Sequence, residues 1–434
     1  METQFPCLED LQDLNVPALG RARFESPLIG EKRNFVPEDS RVLVYSNTRD
    51  VAECRCRDEV PPSFEEAGPR EKLYFDPRDV TAGIVTCGGL CPGLNDVIRT
   101  IVLSLFWQYG VKKVLGFWYG YEGVSSHARK EPLVFTPDHV DDIQHHGGTL
   151  LGTSRGPQDS KDMVDTLEKH DVDMLFVIGG DGTFSGAHEL VEEIQGRERN
   201  IAVVGVPKTI DNDIYCSEQT FGFNTAVGEA RQAIASAHNE AISAWNGIGL
   251  VKLMGRDSGF IAVHAALANS DINFCLIPEV DFELEGENGL LARLERRLER
   301  RRHAVIVTAE GAGQHLMEGE ERTDPSGNRI LKDIGFFLQQ KIKDHFRGKE
   351  TPITLKYIDP SYMIRSCAAN AQDSTFCIML GQKAVHAAMA GKTDIFVGYW
   401  NHHFVHVPFK VSAGKRKKID PCGEYWQTVL SITD

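Results

Sequence analysis

The sequence predicts an α/β protein with parallel-rich sheets in two Rossmann-like domains and an active site in the cleft between them. Two observations lead to this prediction. From residue 80 onward, short apolar runs that end in glycine or proline alternate with longer helical patterns, which is typical of βαβ units. These runs are also too many for one comfortable sheet, and a chain of 434 residues is long enough for two domains.

The elements follow in order along the chain. Up to residue 79 the sequence is rich in proline, charge and turn residues, which indicates an N-terminal extension with short strands at most, such as 41–46. The candidate strands after it lie at 81–87, 113–118, 174–180, 201–207, 247–255, 273–280, 304–311, 353–359 and 395–400. The clearest helical patterns lie at 95–109, 186–195, 224–243 and 290–302. Ligands of such folds bind at the carboxyl ends of the strands.

Composition excludes several function classes. The formal net charge of −15 argues against binding to nucleic acid or to an anionic membrane surface. No apolar run approaches the roughly 20 residues of a membrane span, and the N-terminus lacks a signal pattern, so we expect a cytoplasmic protein. The ten cysteines have no metal-ligand spacing and fit reduced thiols. We expect the basic run "GKRKK" at 414–418 to be a solvated loop.

Two glycine-rich clusters each follow a candidate strand or a turn. "TCGGLCPGLNDVIR" at 86–99 places Gly88 and Gly89 before a helix, where free main-chain N–H groups can bind phosphate. A simple tight turn is the alternative. In "GGTLLGTSRG" at 147–156, Arg155 can clamp a phosphate with two hydrogen bonds, unless it is an ordinary surface arginine.

A third cluster, "MLFVIGGDGTFSGA" at 174–187, gives a stronger signal. Three glycines within four residues cost chain entropy unless a ligand approaches the main chain closely. Asp181 lies among them, in the position of a Mg²⁺ ligand, since Mg²⁺ favours one or two carboxylates together with phosphate oxygens. The pattern predicts a phosphate site of a kind that several kinase classes share.

The stretch "VGVPKTIDNDI" at 204–214 is a buried strand that runs into a polar cluster. Asp211 and Asp213 follow the strand end, so one can take a proton from an attacking hydroxyl while the other organises metal or substrate. Thr209 and Asn212 add hydrogen bonds. A loop with helix-capping carboxylates is the alternative.

Three later clusters supply groups that suit a sugar phosphate. They are the turn Met254, Gly255 and Arg256, the strand-end Glu310, and the group Lys356, Tyr362 and Arg365. The chain shows no Ser–His–Asp set, no thiolate nucleophile and no ribose-binding acid after G-x-G-x-x-G. Glycine turns, cations and strand-end carboxylates together favour phosphoryl transfer to a hydroxyl.

At "GGDGT", "PKTIDND" and "MGRDSGFIA", in that order and spacing, the sequence resembles the 6-phosphofructokinase family. It looks most like the ATP-dependent branch of plants and trypanosomatids, which is related to pyrophosphate-dependent enzymes, and the resemblance covers about 80–411. It implies a phosphofructokinase fold, fructose 6-phosphate and ATP as substrates, Mg²⁺, and a homodimer or homotetramer. The implied division is an extension at 1–79, a donor and Mg²⁺ domain at 80–225, a sugar-phosphate domain at 226–411 and a tail at 412–434.

The resemblance also implies residue roles. Asp211 would accept the proton of the C1 hydroxyl, with Lys208, Thr209, Asp213 and Arg256 supporting catalysis. Asp181 would bind Mg²⁺. The donor phosphates would be held by Gly88, Gly89, Arg155, Gly156, Gly180, Asp181, Gly182 and Thr183. The sugar phosphate would be held by Thr209, Ile210, Asp211, Met254, Gly255, Arg256, Glu310, Lys356, Tyr362 and Arg365.

Two positions bear on the phosphoryl donor. Pyrophosphate users of the family carry aspartate where this chain has Gly182, and that carboxylate fills the space of the ATP α-phosphate. Lys208 is shared with pyrophosphate users, so ATP is expected and pyrophosphate is the alternative. An inactive regulatory subunit is disfavoured because Asp181, Asp211 and Arg256 are all present. Family members often complete the sugar-phosphate site with two basic residues of a neighbouring subunit; Lys356 takes one position, and Gly247 stands at the other.

Overall fold

The structure is a computed structural model that describes residues 11, 13–30, 34–56, 60–319, 323 and 329–433. Part of the expected N-terminal extension therefore lies outside the described residues. The strands are β1 (Phe24–Glu25), β2 (Arg41–Leu43), β3 (Ser63–Glu66), β4 (Lys72–Leu73), β5 (Thr81–Thr86), β6 (Lys113–Gly116), β7 (Leu133–Val134), β8 (Met174–Gly179), β9 (Ala202–Pro207), β10 (Gly247–Leu253), β11 (Phe274–Leu276), β12 (His303–Ala309), β13 (Thr354–Ile358), β14 (Ile395–Trp400) and β15 (His403–Pro408).

The helices separate these strands as the βαβ pattern predicts. They are α1 (Thr48–Cys56), α2 (Leu94–Leu103), α3 (Ser160–Lys169), α4 (Asp181–Gly196), α5 (Phe223–Ile242), α6 (Phe260–Leu267), α7 (Leu290–Arg301), α8 (Ile334–Gly348), α9 (Met363–Ser366), α10 (Ala371–Met389), α11 (Phe409–Ser412) and α12 (Glu424–Ile432). All four predicted helices are present, and the first continues as a π-helical turn, Ser104–Tyr109.

Two parallel-rich sheets confirm the predicted fold class. The larger has the order β2-β3-β15-β14-β9-β8-β5-β6-β7, in which β14, β9, β8, β5 and β6 run parallel. The smaller has the order β11-β12-β10-β13 and is wholly parallel. Every predicted strand after residue 80 is found. The chain returns to the large sheet at β14 after building the small one.

Several elements lie outside every predicted segment, among them β7, β15 and α1. β15 pairs antiparallel with β14 after a turn at 401–402, and the last predicted strand ended at residue 400, before it begins. β3 then pairs with β15, so the N-terminal segment contributes to the large sheet. The expectation of short strands at most before residue 80 is wrong, because α1 forms there; its sequence TRDVAECRC has too few apolar residues to show a helical period.

A buried ionic cluster fixes the N-terminal segment to the large sheet. Glu65 of β3 accepts hydrogen bonds from His406 at 3.0 Å, from Lys392 at 3.1 Å and from Arg70 at 3.2 Å. Burial alone would raise the pKa of Glu65, but His406 and Lys392 outweigh it and lower that pKa to about 2. The carboxylate therefore stays ionised, and removing it would leave Lys392 and Arg70 without their buried counter-charge.

The functional turns all follow the carboxyl ends of parallel strands. β5, β8 and β9 are completely buried, and β10 and β12 are nearly so, which gives the two sheets apolar centres. The turns after β5, β8 and β9 face those after β10, β12 and β13 across a cleft. No helix within the described ranges is both long and apolar enough to span a bilayer.

Candidate active site

Three turns of the large sheet form one side of the cleft. The Lys208 main-chain N–H donates to the Gly179 carbonyl at 2.9 Å, which ties the turn after β9 to the turn after β8. The Gly88 N–H donates to the Ser154 carbonyl at 3.1 Å, and the Thr153 hydroxyl donates to the Gly88 carbonyl at 2.7 Å. These bonds hold the predicted glycine clusters together.

A cavity of about 420 Å³, which we call the donor cavity, opens among these turns. Its walls include the turns after β5, β8 and β9 and the loop that follows Ser154. Predicted donor-site residues that line it are Gly88, Gly89, Arg155, Gly156, Gly180, Asp181, Gly182 and Thr183. The structure therefore brings together all the residues that were assigned to donor phosphates.

A second cavity of about 420 Å³, the acceptor cavity, adjoins the first. Predicted sugar-phosphate residues that line it are Thr209, Ile210, Asp211, Met254, Arg256, Glu310, Tyr362 and Arg365. Both cavities share Gly89, Arg155, Lys208, Thr209, Asp211 and Arg256. A group bound in one cavity can thus reach a group bound in the other at Asp211.

Asp211 stands at this junction with an unengaged carboxylate oxygen. Its Oδ1 is buried and makes no hydrogen bond with a described residue, while its main-chain N–H donates to the Thr209 hydroxyl at 3.1 Å. Burial raises the pKa of Asp211 well above the ordinary value, and the neighbouring charges of Asp213 and Glu310 raise it further. A buried, unpaired carboxylate of raised pKa is the expected form of a general base.

The loop around Asp211 is held by its own polar residues. Asn212 adopts a left-handed conformation (φ 54°), its side-chain amide donates to the Glu218 carbonyl, and its carbonyl oxygen accepts from the Thr220 N–H. The Thr209 hydroxyl donates to Asp213 Oδ1 at 3.1 Å. Asn212 therefore shapes the loop, whereas Asp211 and Asp213 face the donor cavity.

Lys208 is a buried cation that lines both cavities. Only 6% of its surface is exposed, and its Nζ donates to the Gly89 carbonyl at 2.8 Å. Burial lowers the pKa of Lys208. A Cβ added at Gly88 would lie 3.5 Å from this Nζ, so the ammonium lies directly against the first glycine turn.

Asp181 begins α4 and carries a buried carboxylate oxygen at the donor cavity. Its Oδ1 is buried without a hydrogen bond to any described residue, and burial raises the pKa of its carboxyl. No group of three or more His, Cys, Asp or Glu residues in the described chain could hold a metal. A single carboxylate beside a phosphate cavity nevertheless fits Mg²⁺, which takes most of its ligands from water and substrate phosphates.

Gly182 leaves space that a side chain would fill. A Cβ added there would meet nothing within 4 Å, and the residue lines the donor cavity. Gly179, by contrast, is required by packing, since a Cβ would lie 2.4 Å from the Thr183 side chain. The open space at Gly182 is therefore available to the ligand.

Cations dominate the acceptor cavity. Arg256 lines it and donates to the Arg329 carbonyl at 2.8 Å. Arg365 and Arg155 approach each other across Gly89, where an added Cβ would lie 3.7 Å from Arg365 Nη1 and 3.5 Å from Arg155 Nη2. Lys252, which the sequence analysis missed, also lines the cavity and pairs with Asp359 at 2.9 Å. The feature of the sequence that could have identified Lys252 is that it is a single lysine within an apolar strand.

Two predicted substrate residues do not line either cavity. Gly255 has φ 125°, and a Cβ there would lie 2.5 Å from the Ser258 carbonyl oxygen, so it shapes the turn that presents Arg256. Lys356 lies on the edge strand β13 with half its side chain exposed, 3.6 Å from Glu240. Gly247 admits no side chain, since a Cβ would lie 2.0 Å from the Ala241 carbonyl oxygen.

The most prominent group that the sequence analysis missed is Arg416. It lines the donor cavity and contacts Asp213 at 3.4 Å and Asp257 more closely. The reading of 414–418 as a solvated loop is wrong here, because Lys417 is also buried and donates to the Ser217 carbonyl at 2.7 Å. Burial lowers the pKa of Lys417 to about 7.

Comparisons with known proteins identify the family of this chain. A family profile described as Phosphofructokinase matches residues 81–388. An ATP-dependent 6-phosphofructokinase of Borreliella burgdorferi is 50% identical over 97% of this chain and 96% of the relative. The ATP-dependent 6-phosphofructokinase of Amycolatopsis methanolica is 48% identical over 98% of this chain and 95% of the relative. That of Trypanosoma brucei brucei is 44% identical over 97% and 87%.

Solved structures show the same fold. A pyrophosphate-dependent phosphofructokinase from Marinobacter aquaeolei superposes with a TM-score of 0.65 at 19% identity, over 82% of this chain and 92% of that one. The T-state phosphofructokinase of Pichia pastoris superposes with a TM-score of 0.62 at 22% identity, and the match covers 77% of this chain and 35% of that one. At such identities the likeness concerns the fold alone.

Proposed function

The chain belongs to the phosphofructokinase family, and from that membership we propose that it phosphorylates fructose 6-phosphate at the C1 hydroxyl with ATP, as a glycolytic enzyme. The products are fructose 1,6-bisphosphate and ADP. The observation that carries the proposal is the junction of the donor and acceptor cavities at Asp211. A base at that point touches the acceptor hydroxyl while facing the donor phosphates.

Asp211 is the general base in this proposal. Its free, buried Oδ1 takes the proton as the C1 oxygen forms a bond to the γ-phosphorus and the bond from that phosphorus to the bridging oxygen of ADP breaks. Thr209 and Asp213 position the loop, since the Thr209 hydroxyl contacts both the Asp211 N–H and Asp213. The raised pKa of Asp211 suits it to receive a proton near neutral pH.

The donor phosphates are bound by the glycine turns after β5 and β8 together with Arg155 and Lys208. The N-terminus of α4 directs its main-chain N–H groups into the donor cavity, where anions are favoured. Lys208 and Arg155 line both cavities, so their charge acts where negative charge is transferred. We assign donor binding to the large-sheet part of 80–225.

Asp181 is the residue that would hold Mg²⁺ at this site. Mg²⁺ bound with ATP neutralises phosphate charge and orients the transferred group. Asp181 supplies one buried carboxylate oxygen beside Gly180 and Gly182, at the start of α4. Its raised pKa reflects burial and is expected to fall when a cation is bound.

The sugar phosphate is bound by the small-sheet turns within 226–411. Arg256 and Arg365 supply positive charge, and Glu310 accepts hydrogen bonds from sugar hydroxyls. Arg256 Nη1 donates to the Arg329 carbonyl, and the guanidinium has further N–H groups with which to bind the sugar phosphate. Met254 and Tyr362 complete the wall.

The donor is tested by comparing ATP with pyrophosphate, with fructose 6-phosphate as acceptor. The open space at Gly182 favours ATP, because a nucleotide α-phosphate needs room there. Pyrophosphate is the second candidate, favoured by Lys208, whose ammonium can stabilise charge on the orthophosphate that leaves when pyrophosphate is the donor. Higher kcat/KM with ATP supports the proposal, and equal or higher kcat/KM with pyrophosphate contradicts the choice of donor.

We further propose that the enzyme is a homodimer or homotetramer in which Lys356 serves the sugar-phosphate site of a neighbouring copy. Lys356 lies outside its own acceptor cavity, on an exposed edge strand. The second basic contact cannot come from position 247 without a backbone shift. Light scattering should give a dimer or tetramer, and Lys356→Ala should raise KM for fructose 6-phosphate; a fully active monomer would contradict this.

A cytoplasmic location completes the proposal. None of the nine described cysteines forms a disulfide, which suits a reducing compartment. One curated relative, from Arabidopsis thaliana, is named as chloroplastic, so imaging of a tagged chain in its source cells is the direct test.

A further inference from the structure

We propose that Arg416, from the segment after α11, is a catalytic arginine that binds the donor phosphates and stabilises the transferred phosphoryl group. The inference rests on the proposed function and deepens it. It adds a further cation to Arg155, Lys208 and Arg256 in the donor cavity, and this one comes from the C-terminal segment after α11. The side chain lines the donor cavity together with Asp181 and Asp213.

The segment that carries Arg416 is fixed against the catalytic loop. Arg416 and Ile214 form an antiparallel bridge, and the Lys417 N–H donates to the Asp213 carbonyl at 2.9 Å. Farther along, the Ile419 N–H donates to Glu279 at 2.8 Å, and the same Glu279 oxygen accepts from the Gly259 N–H. The segment thus crosses from the loop after β9 to the turns after β10 and β11, and places Arg416 in the cleft.

The contacts of Arg416 leave part of its guanidinium available. Both of its side-chain hydrogen bonds use Nη1, one to Asp213 at 3.4 Å and one to Asp257. Nη2 and Nε make no hydrogen bond with a described residue, and 30% of the side chain is exposed. A guanidinium has five N–H donors in a planar fork, which matches two phosphate oxygens at once.

The local charge explains why a cation is needed there. Asp181, Asp211 and Asp213 all face the donor cavity, and an ATP phosphate chain would add further negative charge. Burial opposes the charge of Arg416, but Asp213 and Asp257 outweigh it and raise the pKa of the guanidinium. The long Asp213 contact is weak, so an incoming phosphate can take its place at small cost.

A purely structural role is the competing explanation, in which Arg416 only neutralises Asp213 and Asp257. The two explanations differ in what the variant loses. A structural arginine contributes mainly to thermal stability and loop order. A phosphate-binding arginine contributes to kcat, because removal of one preorganised donor at a developing charge costs about 100- to 1000-fold.

The test compares Arg416→Ala and Arg416→Lys with the unaltered enzyme and with Lys415→Ala. Lys415 is the matched control, because it lies one residue away and its Nζ contacts the Tyr215 ring at 5.4 Å rather than a cavity. The readouts are kcat with ATP and fructose 6-phosphate, the Kd of MgATP by calorimetry, the midpoint of thermal unfolding, and rescue by millimolar guanidinium.

We expect Arg416→Ala to lower kcat by about 100-fold and to raise the Kd of MgATP by about fivefold, with an unchanged unfolding midpoint. Added guanidinium should restore part of the kcat of Arg416→Ala. The kcat of Arg416→Lys should lie between those of Arg416→Ala and the unaltered enzyme. A kcat within threefold of the unaltered enzyme would overturn the inference. So would a loss that matches a lower unfolding midpoint and resists rescue. If the unaltered enzyme itself shows no activity with ATP and fructose 6-phosphate, the proposed function is contradicted. Failure of the proposed function is thus distinguished from failure of the Arg416 inference.

Discussion

The donor and acceptor cavities have similar volumes but are lined by different kinds of residue. The donor cavity includes six glycines, in turns that follow buried strands, in the loop after Ser154 and in α4, together with charged side chains such as Arg155 and Lys208. The acceptor cavity is made of long side chains, including Lys252, Arg256, Glu310 and Arg365, on the turns of the smaller sheet. Tyr362 in its wall is 73% exposed.

Because of this difference, we expect different kinds of substitution to weaken ligand binding in the two cavities. Main-chain recognition depends on empty space, so an added side chain should disrupt the donor cavity most. Side-chain recognition depends on charge and reach, so a shortened side chain should disrupt the acceptor cavity most. Asp211 belongs to both cavities, and its substitution should abolish the reaction while leaving both binding sites in place.

The largest effect is expected for Asp211→Asn. The amide keeps the size of the side chain but cannot accept the proton, so kcat should fall by about 1000-fold. Calorimetry should show fructose 6-phosphate and MgATP binding within a fewfold of the unaltered enzyme. Asp138→Asn, in an exposed helical turn, is the control. Turnover within tenfold of normal would contradict the role of Asp211 as base.

Gly182→Asp should disrupt the donor cavity alone. The new carboxylate would occupy the free space and repel the nucleotide, so kcat/KM for ATP should fall by about 100-fold, while KM for fructose 6-phosphate changes little. Gly196→Asp is a matched control, because that glycine lies at the other end of α4 and also has open space at its Cβ position. An unchanged ATP KM would show that the donor phosphates do not use this space.

Arg365→Ala should disrupt the acceptor cavity alone. Loss of one charge-assisted contact costs about 1.5–3 kcal/mol, so KM for fructose 6-phosphate should rise by about 10- to 100-fold with a nearly constant ATP KM. Arg347→Ala, on the exposed face of α8, is the control. Equal increases in both KM values would mean that the two cavities are not separate recognition sites.

The smallest effect is expected for Glu310→Gln, measured as a pH profile of kcat/KM. The base must be ionised, and burial with the charges of Asp213 and Glu310 raises the pKa of Asp211, so activity is lost as pH falls through a value above the ordinary aspartate range. Removing the Glu310 charge lowers that pKa and should move the acid limb to lower pH. If the acid limb of the pH profile stays at the same pH or moves to higher pH, the charge of Glu310 does not raise the pKa of the base.

Much of the fold could be predicted because strand and helix periods are local. β5, β8, β9 and β14 appear within one residue of their predicted bounds. β15 and α1 could not, since β15 follows β14 after two residues and α1 has no apolar stripe. The glycine clusters were informative for the same reason, because a turn that needs main-chain approach shows in a few consecutive residues.

The sequence by itself determined the parallel α/β fold, the glycine turns around Gly88, Gly180 and Gly182, and the position of Asp211 just after a strand end. Each of these depends on residues that are close in the chain. Only the tertiary structure decided that the donor and acceptor cavities meet at Asp211 and that Arg416, 205 residues farther along, enters the donor cavity. Side chains distant in sequence meet only when the sheets pack, and the short basic run around Arg416 has no local pattern that distinguishes a phosphate ligand from a solvated charge.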